Sequence, residues 1–190
     1  MLAENQSHGA AALRVYPYTV NPARYFPYDP ESPWVAASVM DAIFHCEPIL
    51  RIDHIGSTAI PGCGGKGIID LLMSYPAGGL ERARAALDRL GFQRQGGPEP
   101  FPESRPMRVS AVVYRGSEYQ VHAHVIRAGD PQGLDLIRFR DRLRDDAALV
   151  RAYQVEKLSI LSRGVTVSTE YSKAKTDFIR RVLAVGDCPA

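Results

Sequence analysis

Apolar residues recur at helical spacing at Val35, Val39, Ala42 and Cys46, behind a Ser32-Pro33 pair suited to an N-cap and first turn. This predicts a helix ending near Glu47, before Pro48. The pattern then changes: Ile49 to Ile55 is β-rich and Ile68 to Ser74 reads as a buried strand, the two framing a loop from Gly56 to Gly67. Leu80, Ala83, Leu87 and Leu90 form the stripe of a second helix, stopped by Gly91. Gln93 to Pro106 is rich in Gly and Pro and predicts an exposed loop. Val109 to Arg115 and Tyr119 to Arg127 flank Gly116-Ser117 with the spacing of a hairpin. Side chains alternate along a strand, so Gln120, His122 and His124 share one face and Val121, Ala123 and Val125 the other. From Leu134 the chain reads as helices over 134–144, 146–162 and 168–184.

This order predicts an α/β (α+β) fold, a mixed β-sheet covered by helices with a helical C-terminal third. Residues 1–30, rich in Pro and Tyr, are expected to lie as an extended arm over a single domain spanning 31–185. A length of 190 residues suits one core. The net charge of +2 gives no reason to expect a nucleic-acid or membrane-surface partner. Cys46, Cys63 and Cys188 are odd in number and form no CxxC pair, which argues against both a disulfide framework and a zinc site. Reduced thiols and a cytoplasmic location follow as expectations. The stretch from Met1 to Gly9 lacks the basic start and apolar run of an export signal, and no apolar stretch reaches membrane-spanning length.

The segment from Ile55 to Gly62, running on through Lys66 to Asp70, is the richest in chemistry. Gly56 permits close backbone approach or positive φ, while Ser57 and Thr58 add hydroxyls beside backbone amides, a suitable cradle for phosphate oxygens. Asp70 on the next strand could hold Mg²⁺ against those phosphates. Spacing alone equally admits a plain turn and a structural aspartate. A Walker A loop is excluded, because Ile60 and Gly67 stand where it needs Gly and Ser or Thr.

The string IDHIGSTAIPGCGGKGIIDLL resembles the signature of the GrpB family, whose members look like small nucleotidyltransferase-superfamily domains. The likeness extends through the FPYDP run (26–30), His122-Ala123-His124-Val125, and Phe139-Arg140-Asp141 with Leu143-Arg144. It continues through Tyr153 with Lys157, then Tyr171, Lys175, Phe178 and Ile179. Nucleotidyltransferases typically carry Gly-Ser, two carboxylates one residue apart on the next strand, and a third on a later strand. By resemblance Asp70 fills the first position, Leu72 occupies the second, and His124 stands at the third. A three-carboxylate, two-metal site therefore cannot form, and this single-Asp arrangement is similar to the family pattern itself. Gly64-Gly65-Lys66-Gly67 replaces the family's more frequent small residue, Lys and Pro, which predicts a more flexible loop.

The resemblance implies a Mg²⁺-dependent transfer of a nucleotidyl group from a nucleoside triphosphate to a small-molecule acceptor. Gly56, Ser57, Thr58, Lys66, Lys157 and Lys175 would bind phosphates, Asp70 and His124 would be catalytic, and Asp70 would hold the metal. His122, Arg140, Tyr153 and Tyr171 are candidate substrate contacts. Tyr153 with Lys157 and Tyr171 with Lys175 lie at i and i+4, so each pair could cover a nucleotide or pack its helix. His54, His45 and His8 have no such support. The alternative function is a non-catalytic binder of a nucleotide or phosphorylated metabolite on the same scaffold.

Overall fold

Alternation along two strands decides which face of the sheet is core. In the computed structural model, which describes residues 13–97 and 99–185, Ile69, Leu71 and Met73 of one strand and Val121, Ala123 and Val125 of another are fully buried on one face. The strands are β1 (Val15–Tyr16), β2 (Arg51–Ile55), β3 (Ile69–Tyr75), β4 (Gln93–Arg94), β5 (Met107–Tyr114) and β6 (Ser117–Arg127). Their order is β1-β5-β6-β3-β2, with β4 also on β5. β3 and β6 run parallel, and the other pairs are antiparallel. The expected α/β architecture with a mixed, helix-covered sheet is thus present.

Helices α1 (Ser32–Cys46) and α2 (Leu80–Arg89) cover that apolar face. Val35, Val39 and Ile43 from α1 and Ala83, Ala86 and Leu87 from α2 pack on Leu71, Met73, Ala123 and Val125. Each large aliphatic side chain so buried contributes roughly 1.5–3 kcal/mol. On the opposite face α3 (Pro131–Asp145) approaches closely. A Cβ on its Gly133 would already touch Ile126 at 3.4 Å and Leu72 at 3.8 Å. Helices α4 (Ala147–Ser162), α5 (Ser168–Ala174) and α6 (Thr176–Ala184) complete the C-terminal third. Of these, α4 and α6 enclose with α3 a second core of Phe139, Leu143, Val150, Tyr153, Phe178 and Val182.

Four local expectations need correction. Ser32 lies inside α1; the chain enters the helix through Asp29, whose Oδ1 accepts from Glu31 N at 2.9 Å. The hairpin turns at Arg115-Gly116, one residue early, with φ of 48° and 83° and Tyr114 paired to Ser117. A two-residue hairpin turn of this kind needs positive φ at both central positions, which places the glycine second. The stretch after Gly91 is no free loop: it contains β4, and Glu103 is held by Arg108 and Arg84. The helix over 168–184 breaks at Lys175, because Tyr171 packs with Ala23 and Ile160 while Phe178 and Val182 join the other cluster.

The described part of residues 1–30 is joined to the rest of the chain through its backbone at several points, among them Ala23 N, which donates to Thr166 O at 2.7 Å. β1 pairs with β5, and Phe26 exchanges backbone hydrogen bonds with Gly65 at 2.7 and 2.9 Å. Residues 1–12 with His8, and Cys188, lie outside the described residues. Cys46 and Cys63 are free thiols. Among the described residues no helix is long and apolar enough to cross a membrane.

Candidate functional site

The parallel register of β3 and β6 sets Asp70 opposite His122 and Leu72 opposite His124. The carboxylate and both imidazoles consequently meet on the face away from α1 and α2. Asp70 Oδ1 stands 3.4 Å from His122 Nδ1 and 3.8 Å from His124 Nε2. One ligand atom from each of the three lies within 4.8 Å of the others. Burial alone would raise the Asp70 carboxyl, but the two imidazoles directed at it hold it well below the usual carboxylate range. Burial pushes His122 down against the pull of Asp70. The surroundings thus favour the charged form of Asp70 and the neutral form of His122.

Several neighbours fix these groups. The Tyr18 hydroxyl lies 2.9 Å from His122 Nε2, and Phe101 stands edge-on to His124 at 5.8 Å between ring centres. Gly56 has a φ of 71°, and a Cβ there would fall 2.4 Å from Asp70 Oδ2. The glycine is therefore required twice over, by backbone conformation and by the carboxylate pressed against it.

The loop after Gly56 opens with a 3-10 turn at Ser57–Ala59. Thr58 donates its hydroxyl proton to Ile68 O at 3.0 Å. Its oxygen is then left to accept from His54 Nε2, also at 3.0 Å. Thr58 thereby braces the loop from within. Flexibility is not what the glycines supply. A Cβ on Gly64 would fall 2.3 Å from the Tyr25 hydroxyl, and one on Gly65 2.5 Å from Ser57 Oγ. Gln154 Oε1 accepts from both Tyr25 Oη (2.6 Å) and Gly64 N (3.1 Å), clamping arm, loop and α4 together.

Lys66, Lys157 and Lys175 converge beside this loop. Lys66 Nζ donates to Ser168 Oγ at 2.8 Å. Lys66 and Lys175 stand 5.7 and 4.9 Å from the centre of the Tyr171 ring. Lys157 is buried, donating to Gly64 O and, at 3.3 Å, to Cys63 Sγ. Burial and the nearby charges of Lys66 and Lys157 bring Lys175 down to about 8, against the opposing pull of Asp70. Burial likewise lowers Lys66 and Lys157. Lys66 and Lys175 feel the charge of Asp70, while Lys157 is engaged by Gly64 and Cys63.

The remaining candidates are structural in their contacts. Tyr153 stacks on Phe178 at 5.2 Å inside the helical core, and Tyr171 is 1% exposed, so neither ring offers a face to a base. Each packs its helix beneath its lysine. Arg140 pairs with Asp141 at 2.7 Å and donates to His54 O at 2.9 Å, anchoring α3 to β2. A cavity of about 610 Å³ opens between the arm, the loop and the start of β6, lined by Tyr18, Phe26, Tyr28, Lys66, Tyr119 and Gln120. Tyr18 and Lys66 join it to the Asp70 cluster. Tyr18, Phe101, His54 and Gln154 are the contributors that sequence reasoning missed. Only the Tyr-rich character of the arm signalled the first of them.

The profile of the GrpB family, described as GrpB protein, matches residues 23–184. A UPF0157 protein of Pseudomonas aeruginosa is 32% identical over 160 residues, 83% of this chain and 64% of that protein. The chain thus spans just under two-thirds of that relative. The crystal structure of the conserved protein GrpB from Enterococcus faecalis shares the fold, with a TM-score of 0.63 at 21% identity over 84% of this chain and 94% of that one. A more distant neighbour is Cid1 in complex with its short product ApU, with a TM-score of 0.48 at 13% identity over 69% of this chain and 41% of that one. Likeness at that distance says nothing of substrate. Profile, relative and fold agree, and the chain belongs to the GrpB family.

Proposed function

We propose that this protein holds the phosphates of a nucleoside triphosphate against the Gly56–Gly67 loop and transfers its nucleotidyl group to a small-molecule acceptor. The observation that carries this reading is the gathering of Lys66, Lys157 and Lys175 at the loop that leads to Asp70, a group of amines that an anionic chain of phosphates would engage. The acceptor oxygen attacks the α-phosphorus, the bond to the bridging oxygen of the β-phosphate breaks, and pyrophosphate leaves toward the lysines. His124 would orient the acceptor or complete the metal shell. The cavity of about 610 Å³ beneath the arm has the size for such an acceptor. The near-balanced net charge of +2 favours a small molecule over nucleic acid and, with reduced thiols, a cytosolic setting.

A resident Mg²⁺ is poorly served by these residues. It prefers oxygen ligands, and the cluster offers one carboxylate with two imidazoles. In this reading Mg²⁺ arrives with the triphosphate, as part of the substrate.

Binding without turnover is the second reading. Leu72, fully buried with Ile55 and Ile126, occupies the position of a second carboxylate and favours a sensor. Calorimetric titration with ATP, GTP, CTP and UTP, with and without Mg²⁺, tests the common element of both. One triphosphate should bind, and Lys66→Ala with Lys175→Ala should weaken it about 10–100-fold, as expected for losing charge-assisted contacts. Pyrophosphate release lost in a folded Asp70→Asn variant would support transfer; saturable binding without release would support the sensor. Absence of binding to all four would sink the transferase and the nucleotide sensor and leave a non-nucleotide ligand on the same scaffold.

A further inference from the structure

The donor set around Asp70 has a chemistry of its own. Good N–H···O hydrogen bonds run about 2.7–3.2 Å, whereas Asp70 Oδ1 stands 3.4 Å from His122 Nδ1 and 3.8 Å from His124 Nε2. The three groups converge without closing on one another. Octahedral Mg²⁺, with bonds of 2.0–2.1 Å, sets adjacent ligand atoms roughly 2.9 Å apart. A tetrahedral ion of the zinc type, with bonds of 2.0–2.2 Å, sets them roughly 3.3–3.6 Å apart. The 3.4 Å between Asp70 and His122 falls in the second range and the 3.8 Å between Asp70 and His124 lies just beyond it, both wider than the octahedral spacing, and two nitrogens with one carboxylate oxygen match the ligand preference of that ion class.

The supporting shell has the matching form. His122 presents Nδ1 to the centre while Nε2 meets the Tyr18 hydroxyl, the outer partner that fixes tautomer and ring orientation in a metal-bound histidine. His124 is held by the ring of Phe101, and Asp70 by the backbone of Gly56. Three protein ligands leave a fourth position open, and Tyr18, which meets His122, also lines the neighbouring cavity.

We infer that Asp70, His122 and His124 bind a nitrogen-preferring first-row divalent cation of the zinc class, with an open fourth position, and not Mg²⁺. The inference goes beyond nucleotidyl transfer and does not depend on it. Full-length protein stripped with chelator is titrated with Co²⁺, whose visible d–d bands report a low-symmetry nitrogen and oxygen environment. One equivalent should bind, Zn²⁺ should displace it, and millimolar Mg²⁺ should not. His122→Ala with His124→Ala should abolish the bands with the fold verified by circular dichroism. Tyr18→Phe, which leaves every ligand in place, should weaken Co²⁺ binding about 10–100-fold, keeping the inference testable if the histidine variant unfolds. No bands in the wild type, undiminished binding in the folded double variant, unchanged affinity in Tyr18→Phe, or displacement by Mg²⁺ as readily as by Zn²⁺ would overturn it. Failure of nucleotide binding in the same preparation would sink the transferase reading and leave the metal site standing.

Discussion

Single atoms set the limits at this site. Gly56→Ala adds a methyl 2.4 Å from Asp70 Oδ2 at a φ of 71°. Strain at such a position costs about 1–3 kcal/mol, so the variant should melt lower and lose Co²⁺ affinity together. A lower melting point with full metal affinity would show that the carboxylate simply moves aside. His54 makes a second, pH-dependent case. Burial, joined by the charges of Arg144 and Arg140 and opposed by Asp70, lowers it from 6.5 to about 4. A folded-state value below the unfolded one means that unfolding takes up a proton within that window. The stabilisation is therefore complete above pH 6.5 and lost as pH falls toward about 4. Melting temperatures followed across that range should fall less steeply for His54→Gln than for the wild type; parallel curves would remove His54 from the account.

Among the elements, the segment between β4 and β5 shows how a loop becomes part of a site. Arg108 is 1% exposed and reaches Asp88 and Glu103, which are 55% and 39% exposed. Removing a buried partner costs about 3–5 kcal/mol when the abandoned charge stays buried. Here both carboxylates can rehydrate, so Arg108→Leu should cost less, about 1–3 kcal/mol in denaturant unfolding. It should also release the Glu103 segment and weaken metal binding through Phe101; unchanged metal affinity would mean that Phe101 holds its place independently. What the sequence revealed at this scale was local and periodic. The alternation that put His122 and His124 on one face needed no tertiary information, nor did the apolar stripes of α1 and α2. The break at Lys175 was not legible, because the helical period runs through it and only the two clusters receiving Tyr171 and Phe178 distinguish the halves. The hairpin was misplaced by one residue for a similar reason, since the sign of φ at Arg115 belongs to the backbone and not to side-chain polarity.

Across the whole molecule the Gly56–Gly67 loop is a junction. Gln154 joins Tyr25 of the arm, Gly64 of the loop and α4 through one carbonyl oxygen. Gln154→Leu strands the Gly64 amide and should cost about 1–3 kcal/mol by chemical denaturation. If the loop also holds triphosphate, its affinity should drop in the same variant; full affinity would mean that the loop keeps its shape without the arm. No motif could have revealed this residue, because Gln154 and Tyr25 stand 129 positions apart and carry no pattern of their own. Asp70 was legible through its surrounding string, whereas the prominence of His122 emerged only from the register that places it opposite Asp70.

That register has a consequence for how the chain can vary. A slip of one residue turns a strand over. Were β6 to slip, His122 and His124 would face α1 and α2, and Val121, Ala123 and Val125 would lose their core. The polar side chains that gather at the candidate site are therefore the ones that penalise the wrong pairing. Replacing them with apolar residues would blur the difference between the two faces of β6, and the strand would lose its guide to assembly.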